Sequence, residues 1–478
     1  MDKIIDYPIV TGYNRLQSPF LNPTSLTNAY VFLDSHTGRR YISHCMGHDE
    51  GLIVGSGPTI RAQYVFKDEM YVVSGDSVYR LDSGLVPNEI GQITTSTGYV
   101  GIASNETQVA FVDGAKIWIW DTVASSFTEP TSTFVPPNPS DVTSLDGYLI
   151  VIREGTSEWF LSELNNGLNW EDADNVARKA LFLSIKGDVL RGIQNVNGHI
   201  FLFGDFSIRI WFDAGRSGNI PFREIPNILY EHGLASKASL AQEFGLLVYL
   251  SKNKNGLDGV KVSVQGATPQ NISTQSINIL LEDEFGDGSD AQGFLYRERG
   301  DVFYQLSSST ADKTLLYNFS SKEWSILEEN DGRHIGATHA FFNNKHYIGG
   351  YNVPRIYDYA HEYTSNGLNS IKIQLIGPEI EFPGYEKFKV SQFQLQIVPG
   401  LGKTVEPNIY PQVFLALSRD GGITFGNFVK LNSGEAGNYQ RRLRWRQLGD
   451  MRSFVPKLEY FNDIPFFIKN ASIAIDRE

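Results

Sequence analysis

Between about Tyr64 and Tyr359 the hydrophobic pattern of the chain repeats one unit: an apolar strand, a short polar or glycine turn, and a second apolar strand that often ends at aspartate. The clearest copies begin at Tyr64, Gln108, Ser144 and Asn195, and weaker copies begin near Leu240, Phe294 and His339. Spacings of roughly 40 to 55 residues are typical of β-propeller blades. The pattern therefore predicts a β-propeller of about seven blades, with six as the alternative count.

The strands of this region are often apolar on both faces. In IWIWD, Ile117 and Ile119 would point to one side of the sheet, whereas Trp118 and Trp120 would point to the other. A strand of this kind is covered on both sides, unlike a half-exposed strand with alternating polar residues. We therefore expect each sheet to be packed between two neighbouring blades.

The pattern changes after about Leu368. In QFQLQIV, from Gln392 to Val398, apolar residues alternate with glutamines, which is typical of a sheet with one wet face and one dry face. We expect residues 368–478 to form a C-terminal antiparallel β-sandwich or small barrel, after a propeller at 61–367. Residues 1–60 have few clean strand patterns and are interpreted as an arm that completes or packs on the propeller. The predicted fold is all-β, and the best candidate for a short helix lies near residues 173–183.

Composition narrows the function classes. The chain has 478 residues, 54 acidic and 41 basic, and a formal net charge of −13, which disfavours a protein that binds nucleic acid by neutralising phosphates. An acidic wall along a channel through which DNA slides is compatible with that charge. The single cysteine excludes an internal disulfide and indicates assembly in a reducing cytoplasm. No apolar run has the length of a membrane span, and no signal-peptide pattern is expected.

Catalytic and metal-binding motifs are weak. No Walker loop, HExxH motif or nucleophile elbow is present. His44, Cys45 and His48 have loosely metal-like spacing, but a structural loop is the favoured interpretation. The acidic segment Glu282–Asp290 lacks EF-hand spacing, so a solvated loop is favoured over a calcium site. We therefore predict no enzyme activity and no catalytic, cofactor-binding or metal-binding residues.

One motif is sharp. The sequence SRDGGITF fits the Asp-box pattern S-x-D-x-G-x-T-[FW], which forms a hairpin turn; its pattern residues are Ser418, Asp420, Gly422, Thr424 and Phe425. Asp-boxes recur in sialidase-like propellers, so the alternative function is a carbohydrate-binding or glycan-hydrolysing propeller. A single copy outside the repeats favours a purely structural turn.

A basic stripe lies near the C-terminal end of this acidic chain, at Arg441, Arg442, Arg444, Arg446 and Arg452. Three interpretations remain open at this stage: the solvent face of one strand, a docking edge for an acidic neighbouring subunit, and a contact to DNA phosphates.

Three segments resemble a known family. FGDFSIRIWFDAG, which contains Trp211, resembles a strand signature of the packaged-DNA stabilisation proteins of short-tailed phages. WFLSEL from Trp159 resembles an upstream segment of the same family. SRDGGITFGN and NYQRRLRWRQLGDMRS, with Trp445, resemble its C-terminal signatures in the family's order. Arg209 departs from the pattern, because the family often has glutamate there, and residues 1–60 match only loosely.

The resemblance implies a structural tail hub, or nozzle, of a podovirus. Such proteins form a homohexameric ring below the portal and adaptor ring, extend the DNA channel, retain the packaged genome, and contact the tail needle or plug and the tailspikes. For this chain it implies non-specific passage of double-stranded DNA through a lumen, no cofactor, no membrane anchor, and a place in the virion tail after assembly in the host cytoplasm. With this resemblance, the alternative carbohydrate-binding or glycan-hydrolysing propeller becomes a phage receptor-binding component.

Overall fold

The computed structural model describes residues 3–16, 21–153, 155–182, 187–216, 219–402 and 410–477. In these residues the backbone is almost entirely β-strand, which confirms the predicted all-β class. Seven groups of consecutive antiparallel strands follow one another between residues 60 and 360, and a two-sheet sandwich holds the C-terminal strands. The first five groups are separate sheets, and the last two are parts of larger sheets. The predicted propeller of seven blades followed by a sandwich is therefore confirmed.

Each blade is an antiparallel sheet built from consecutive strands. Blade 1 comprises Ile60–Phe66, Glu69–Ser74, Ser77–Leu81 and Pro87–Gln92, and blade 2 comprises Gly101–Ser104, Gln108–Val112, Ile117–Asp121 and Ser126–Thr128. Blade 3 comprises Pro139–Leu145, Tyr148–Arg153, Glu158–Leu161 and Lys179–Leu181. Blade 4 comprises Leu190–Val196, His199–Gly204, Ile208–Asp213 and Phe222–Glu224. Blade 5 comprises Gly233–Leu234, Ala241–Glu243, Leu246–Asn253, Gly256–Val264 and Gln270–Asn271. Blade 6 comprises Gln292–Glu298, Asp301–Ser308, Lys313–Asn318, Glu323–Glu329 and Gly332–Arg333. Blade 7 comprises Gly336–Phe342, Lys345–Gly350 and Arg355–Ala360.

The hydrophobic cores lie between neighbouring blades. Ile117 and Ile119 of blade 2 belong to a buried cluster shared with blade 3. Trp118 and Trp120, on the opposite face of the same strand, pack in a cluster shared with blade 1. This confirms the expectation that these strands are apolar on both faces because each face meets another blade.

The N-terminal segment closes the propeller. Its short strands Gly47–His48 and Leu52–Ile53 pair with the last chain-consecutive strand of blade 7, Arg355–Ala360. The small strands Ser365–Asn366 and Asn369–Ser370 extend the same sheet. Blade 7 in turn shares a buried cluster with blade 1, which includes Ile60 and Phe342. Strands from both ends of the repeat region thus complete one blade and close the ring of blades.

The sandwich has two sheets. The first orders its strands as Ala29–Leu33, Arg40–His44, Phe467–Arg477, Phe388–Ile397 and Leu443–Met451, with Lys3–Tyr7 beside Phe467–Arg477. The second orders them as Ser25–Thr27, Ile373–Ile376, Ser453–Tyr460, Gln412–Ser418 and Val429–Asn432, with Ile380–Glu381 beside Ser453–Tyr460. The largest buried cluster of the described chain lies between these sheets.

The propeller and the sandwich share a continuous sheet. Ser25–Thr27 pairs in parallel with Glu323–Glu329 of blade 6 and antiparallel with Ile373–Ile376 of the sandwich. Blade 6 and the second sandwich sheet therefore form one 11-stranded sheet. Backbone hydrogen bonds, and not only side-chain packing, join the two parts.

The helix expected near residues 173–183 is wrong. The backbone there forms a turn closed by Asp172 and then the strand Lys179–Leu181, while residue 183 lies outside the described residues. The α-helix of the described chain is Gln275–Glu284, between blades 5 and 6. Its amino end is capped by Thr274, whose side chain accepts a hydrogen bond from the amide of Ile277. Short 3₁₀ turns occur at Lys237–Ser239 and Pro383–Tyr385.

Candidate interaction surface on the sandwich edge

The predicted basic stripe lies on an edge strand. Among the described strands, Leu443–Met451 pairs only with Phe388–Ile397, so its other side is the outer edge of the first sandwich sheet. Leu443 and Trp445 are buried, whereas Arg444 and Arg446 are exposed. This alternation places the two arginines on the wet face of the sheet, because successive side chains of a strand point to opposite faces.

The wet face around these arginines is polar. Arg444 lies opposite Gln394 and Arg446 lies opposite Gln392 in the strand register. The Arg444 Nε donates a hydrogen bond of 2.8 Å to Gln394 Oε1. The alternating glutamines of the sequence therefore form a polar surface together with the arginines.

The other predicted arginines lie at the two ends of the strand. Arg441 and Arg442 precede it and are exposed, and Arg441 Nε donates to Asn432 O at 2.9 Å. Arg452 follows the strand at its opposite end and donates a hydrogen bond to the backbone carbonyl of Tyr385. Its guanidinium carbon lies 5.3 Å from the centre of the Tyr385 ring. In the described part of the chain none of the five arginines forms an ion pair. Four of them thus share one end of the edge strand, and Arg452 is separate.

The Asp-box is a hydrogen-bonded turn. Asp420 Oδ1 accepts from Ser418 Oγ at 2.6 Å, and Oδ2 accepts from Thr424 Oγ1 at 2.6 Å. The backbone amides of Ile423 and Thr424 also donate to this carboxylate. These bonds, led by those from Ser418 and Thr424, lower the pKa of Asp420 to about 2. A carboxylate held ionised in this way is a poor general acid, and its role is to close the turn.

The remaining box residues fit the same interpretation. Gly422 has φ of 91°, and its amide donates to Ser418 Oγ at 2.8 Å. A β-carbon at Gly422 would lie 2.6 Å from Pro23 Cβ, so a larger residue would be strained both by conformation and by space. Phe425 is half-buried, and the Lys457 ammonium lies 5.6 Å from its ring centre.

The box and the arginine strand meet at one groove, which the sequence did not reveal. Its volume is about 660 Å³, and it lies at the open side of the sandwich, between the edge strand and the strands of the second sheet. Trp445 closes its base, because its Nε1 donates to Val429 O at 2.9 Å. The apolar lining includes Leu415, Leu417, Leu431 and Leu448. Arg419 also lines the groove, and Arg444 and Arg446 reach its rim from the wet face of the edge strand. We call this site the edge groove.

Arg419 was not singled out by the sequence analysis, although it belongs to the groove. Its Nη2 donates to the carbonyl of Leu448 at 2.9 Å and so covers the backbone of the edge strand at that point. Its position inside the Asp-box, directly after Ser418, was the available signal, but only three-dimensional proximity connects it to the basic stripe.

Trp211 lies away from the groove, in the third strand of blade 4. It is half-buried, and its ring meets the fully buried ring of Trp159 of blade 3 edge-on, with centres 5.0 Å apart and an interplanar angle of 77°. The unexpected Arg209 of the same strand forms an ion pair of 2.7 Å with Glu224 of the next strand. These residues join and order two blades.

The possible metal ligands of the N-terminal segment do not converge. The Cys45 thiol is buried, which raises its pKa, and His48 Nε2 lies 3.3 Å from Glu329 Oε1. Within the described residues, no group of three or more His, Cys, Asp or Glu side chains is placed to hold a metal ion. The same residues contain no helix that is long and apolar enough to cross a membrane.

Several solved structures are distantly similar to this chain. The designed protein Ika8 is 14% identical with a TM-score of 0.37, over 66% of this chain and 99% of that one. The Neurospora crassa Pan2 WD40 domain is 9% identical with a TM-score of 0.39, over 63% and 89%. The extracellular domain of the putative one-component system BT4673 from B. thetaiotaomicron is 11% identical with a TM-score of 0.43, over 88% and 59%. No curated protein matches the chain.

Comparison with protein families is specific. Residues 20–362 match the family described as bacteriophage P22 Gp10, beta-propeller. Residues 379–476 match the companion family, bacteriophage P22 Gp10, beta-sandwich. The two matches follow each other in the same order as the propeller and sandwich of the structure, and they confirm the resemblance inferred from the residues around Trp211 and Trp445. The chain therefore belongs to the bacteriophage P22 Gp10 family of phage tail stabilisation proteins.

Proposed function

We propose that this protein is a tail hub that assembles as a homohexameric ring below the portal and adaptor ring of a short-tailed phage. The ring extends the DNA channel, retains the packaged genome, and connects to the tail needle or plug and to the tailspikes. The observation that carries the proposal is the pair of family matches, which together cover the propeller and the sandwich.

The construction of the chain supports a mechanical role. A hub must transmit force between its neighbours without its domains separating. Here one 11-stranded sheet runs from blade 6 into the sandwich, and the N-terminal segment completes blade 7. We propose a division into an arm at 1–60, a propeller at 61–367 and a sandwich at 368–478, in which the arm contributes strands to both of the other parts.

Charge supports passage of DNA without adhesion. Each copy carries a formal net charge of −13, so a ring of copies is strongly acidic as a whole. Acidic groups that face the lumen repel the phosphates of double-stranded DNA and keep it from binding to the wall. The mechanism is steric and electrostatic, and the protein acts without catalysis and without a cofactor, in a virion tail assembled in the host cytoplasm.

The test is a phage with a stop codon in the gene for this chain, grown with and without a complementing copy. Particles without the chain should fill with DNA and then lose it, so that the genome becomes sensitive to DNase. Complemented particles should retain DNA and carry antibody–gold label on the tail axis below the capsid vertex. Stable, infectious particles without the chain would refute the proposal, and so would label confined to peripheral fibres.

A further inference from the structure

The edge groove has an unpaired strand edge along one side. The Leu443–Met451 strand contains a bulge between Arg446 and Gly449, where its register with Phe388–Ile397 shifts. Within the bulge Gln447 has φ of 57°. Beyond the bulge, the Arg419 guanidinium covers the Leu448 carbonyl. Bulges and capping side chains are devices that protect a strand edge from further pairing. One half of this edge is therefore protected.

The other half is open. From Leu443 to Arg446 the strand is regular, and in the described residues no backbone group of another strand pairs with its outer side. An exposed strand edge is a template for an added strand. The open stretch borders the groove, whose base is formed by the buried Trp445.

The two sides of the edge differ in chemistry. A strand added beside Leu443–Arg446 would place alternate side chains toward the groove, where Leu431 and Trp445 offer apolar contact. Its remaining side chains would lie on the wet face beside Arg444 and Arg446, which have no acidic partner in the described structure. The groove's own carboxylate, Asp420, is already occupied by the bonds of the Asp-box.

We propose that the edge groove binds an extended segment of a partner protein, in which acidic residues alternate with apolar ones, by addition of a strand to Leu443–Arg446. Main-chain hydrogen bonds supply the pairing, apolar side chains fill the groove, and the acidic side chains meet the arginines. The inference goes beyond the tail-hub proposal, because it concerns a binding activity that the isolated full-length chain has by itself.

The experiment measures fluorescence anisotropy of a labelled eight-residue peptide of alternating glutamate and leucine, mixed with the full-length protein. Three probes serve as comparisons: a peptide of the same composition with four glutamates followed by four leucines, an alternating lysine and leucine peptide, and a short duplex DNA. The alternating acidic peptide should bind, and the three comparison probes should bind at least about tenfold more weakly.

Two changes separate strand addition from simple charge attraction. The double variant R444E/R446E should weaken binding about tenfold or more, whereas the matched charge reversal of two other exposed arginines, R39E/R223E, should leave it nearly unchanged. N-methylation of alternate peptide amides should abolish binding in one register and spare it in the other, because only one edge of the peptide faces the protein strand.

The proposal would be overturned if the alternating acidic peptide and its block isomer bound equally well, or if binding survived N-methylation in both registers. It would also be overturned if duplex DNA bound the wild type and R444E/R446E lost that binding. Circular dichroism of each variant verifies that the fold is intact. None of these measurements involves particles or DNA retention, so the tail-hub proposal can fail while this one stands, and the reverse also holds.

Discussion

Asn28 and Glu328, which are 300 residues apart, hydrogen-bond to each other in both directions: Asn28 Nδ2 donates to Glu328 O at 2.9 Å, and Asn28 Oδ1 accepts from Glu328 N at 2.8 Å. The same Nδ2 donates to Lys372 O at 2.9 Å. Glu328 belongs to blade 6, and Lys372 directly precedes the first C-terminal strand of the second sandwich sheet. One buried amide of the N-terminal segment thus joins propeller and sandwich.

Replacement of this amide should destabilise the whole protein. Asn28→Ala removes three hydrogen bonds at a buried site and places alanine at φ of 55°, so we expect the free energy of unfolding to fall by about 2–4 kcal/mol. Urea denaturation measures the change. Asn255→Ala, in an exposed turn, is the matched control and should cost less than about 0.5 kcal/mol. Equal denaturation midpoints for the two variants would show that Asn28 does not join the domains energetically.

The contact between Trp159 and Trp211 should couple blades 3 and 4. Trp159 is fully buried and Trp211 half-buried, so Trp159→Leu should cost about 3 kcal/mol and Trp211→Leu about 1 kcal/mol of unfolding free energy. Because the rings touch edge-on, the double variant should lose about 1 kcal/mol less than the sum of the single losses. Strict additivity in thermal or urea unfolding would contradict a direct coupling.

The propeller could be predicted because each blade is coded by consecutive strands with local turns. In IWIWD, for example, both faces of the strand are apolar, which indicated that each face packs against a neighbouring blade. The same reasoning identified the alternating strand that carries Arg444 and Arg446. Local pattern was sufficient wherever the partners of a strand were its neighbours in sequence.

The parts of the structure that the sequence did not predict depend on contacts between residues far apart in the chain. Gly47–His48 and Leu52–Ile53 are two-residue strands, too short for a periodic pattern, and they exist because Arg355–Ala360 pairs with them. Asn28 gave no sign of its role, since Glu328 and Lys372 are hundreds of residues away. The edge groove was hidden for the same reason: the Asp-box and the arginine strand were each visible, but their proximity belongs to the packing of the two sheets.

The Asp-box turn should contribute stability that depends on pH in the acidic range. Its hydrogen bonds lower the pKa of Asp420 to about 2 in the folded protein, below the ordinary value of an aspartate in the unfolded chain. The carboxylate therefore stabilises the fold above about pH 4, and this contribution disappears as the pH falls from about 4 to 2. Asp420→Ala should be less stable than the wild type at neutral pH, with a difference that shrinks over this range.

Asp450→Ala is the control for that experiment, because Asp450 is an exposed carboxylate of the neighbouring edge strand. It should follow the wild-type curve of unfolding free energy against pH. If Asp420→Ala does the same, the hydrogen bonds of the box are not stabilising.

The buried histidine pair His44–His361 should make the free energy of unfolding fall in mild acid. The two rings lie 3.9 Å apart, and His361 Nε2 is 3.1 Å from Ser43 Oγ. Burial, together with the nearby Arg299 charge, lowers the pKa of His44 to about 4 and that of His361 to about 3, and His44 further lowers the pKa of His361. The unfolded chain binds these protons near pH 6.5, so the stabilisation is complete above that pH and declines as the pH falls toward about 4.

His361→Gln tests this relationship, because a glutamine amide can retain the hydrogen bond to Ser43 without titrating. We expect the variant to lose less unfolding free energy than the wild type between about pH 7 and pH 4.5, measured by urea denaturation at each pH. His36→Gln removes an exposed histidine and should leave the wild-type slope unchanged. His361 packs between the strand Arg40–His44 and Phe467 of the sandwich, so a flattened slope would locate part of the acid sensitivity where the N-terminal segment meets both domains. An unchanged slope would mean that His361 binds its proton equally well in the folded and the unfolded chain.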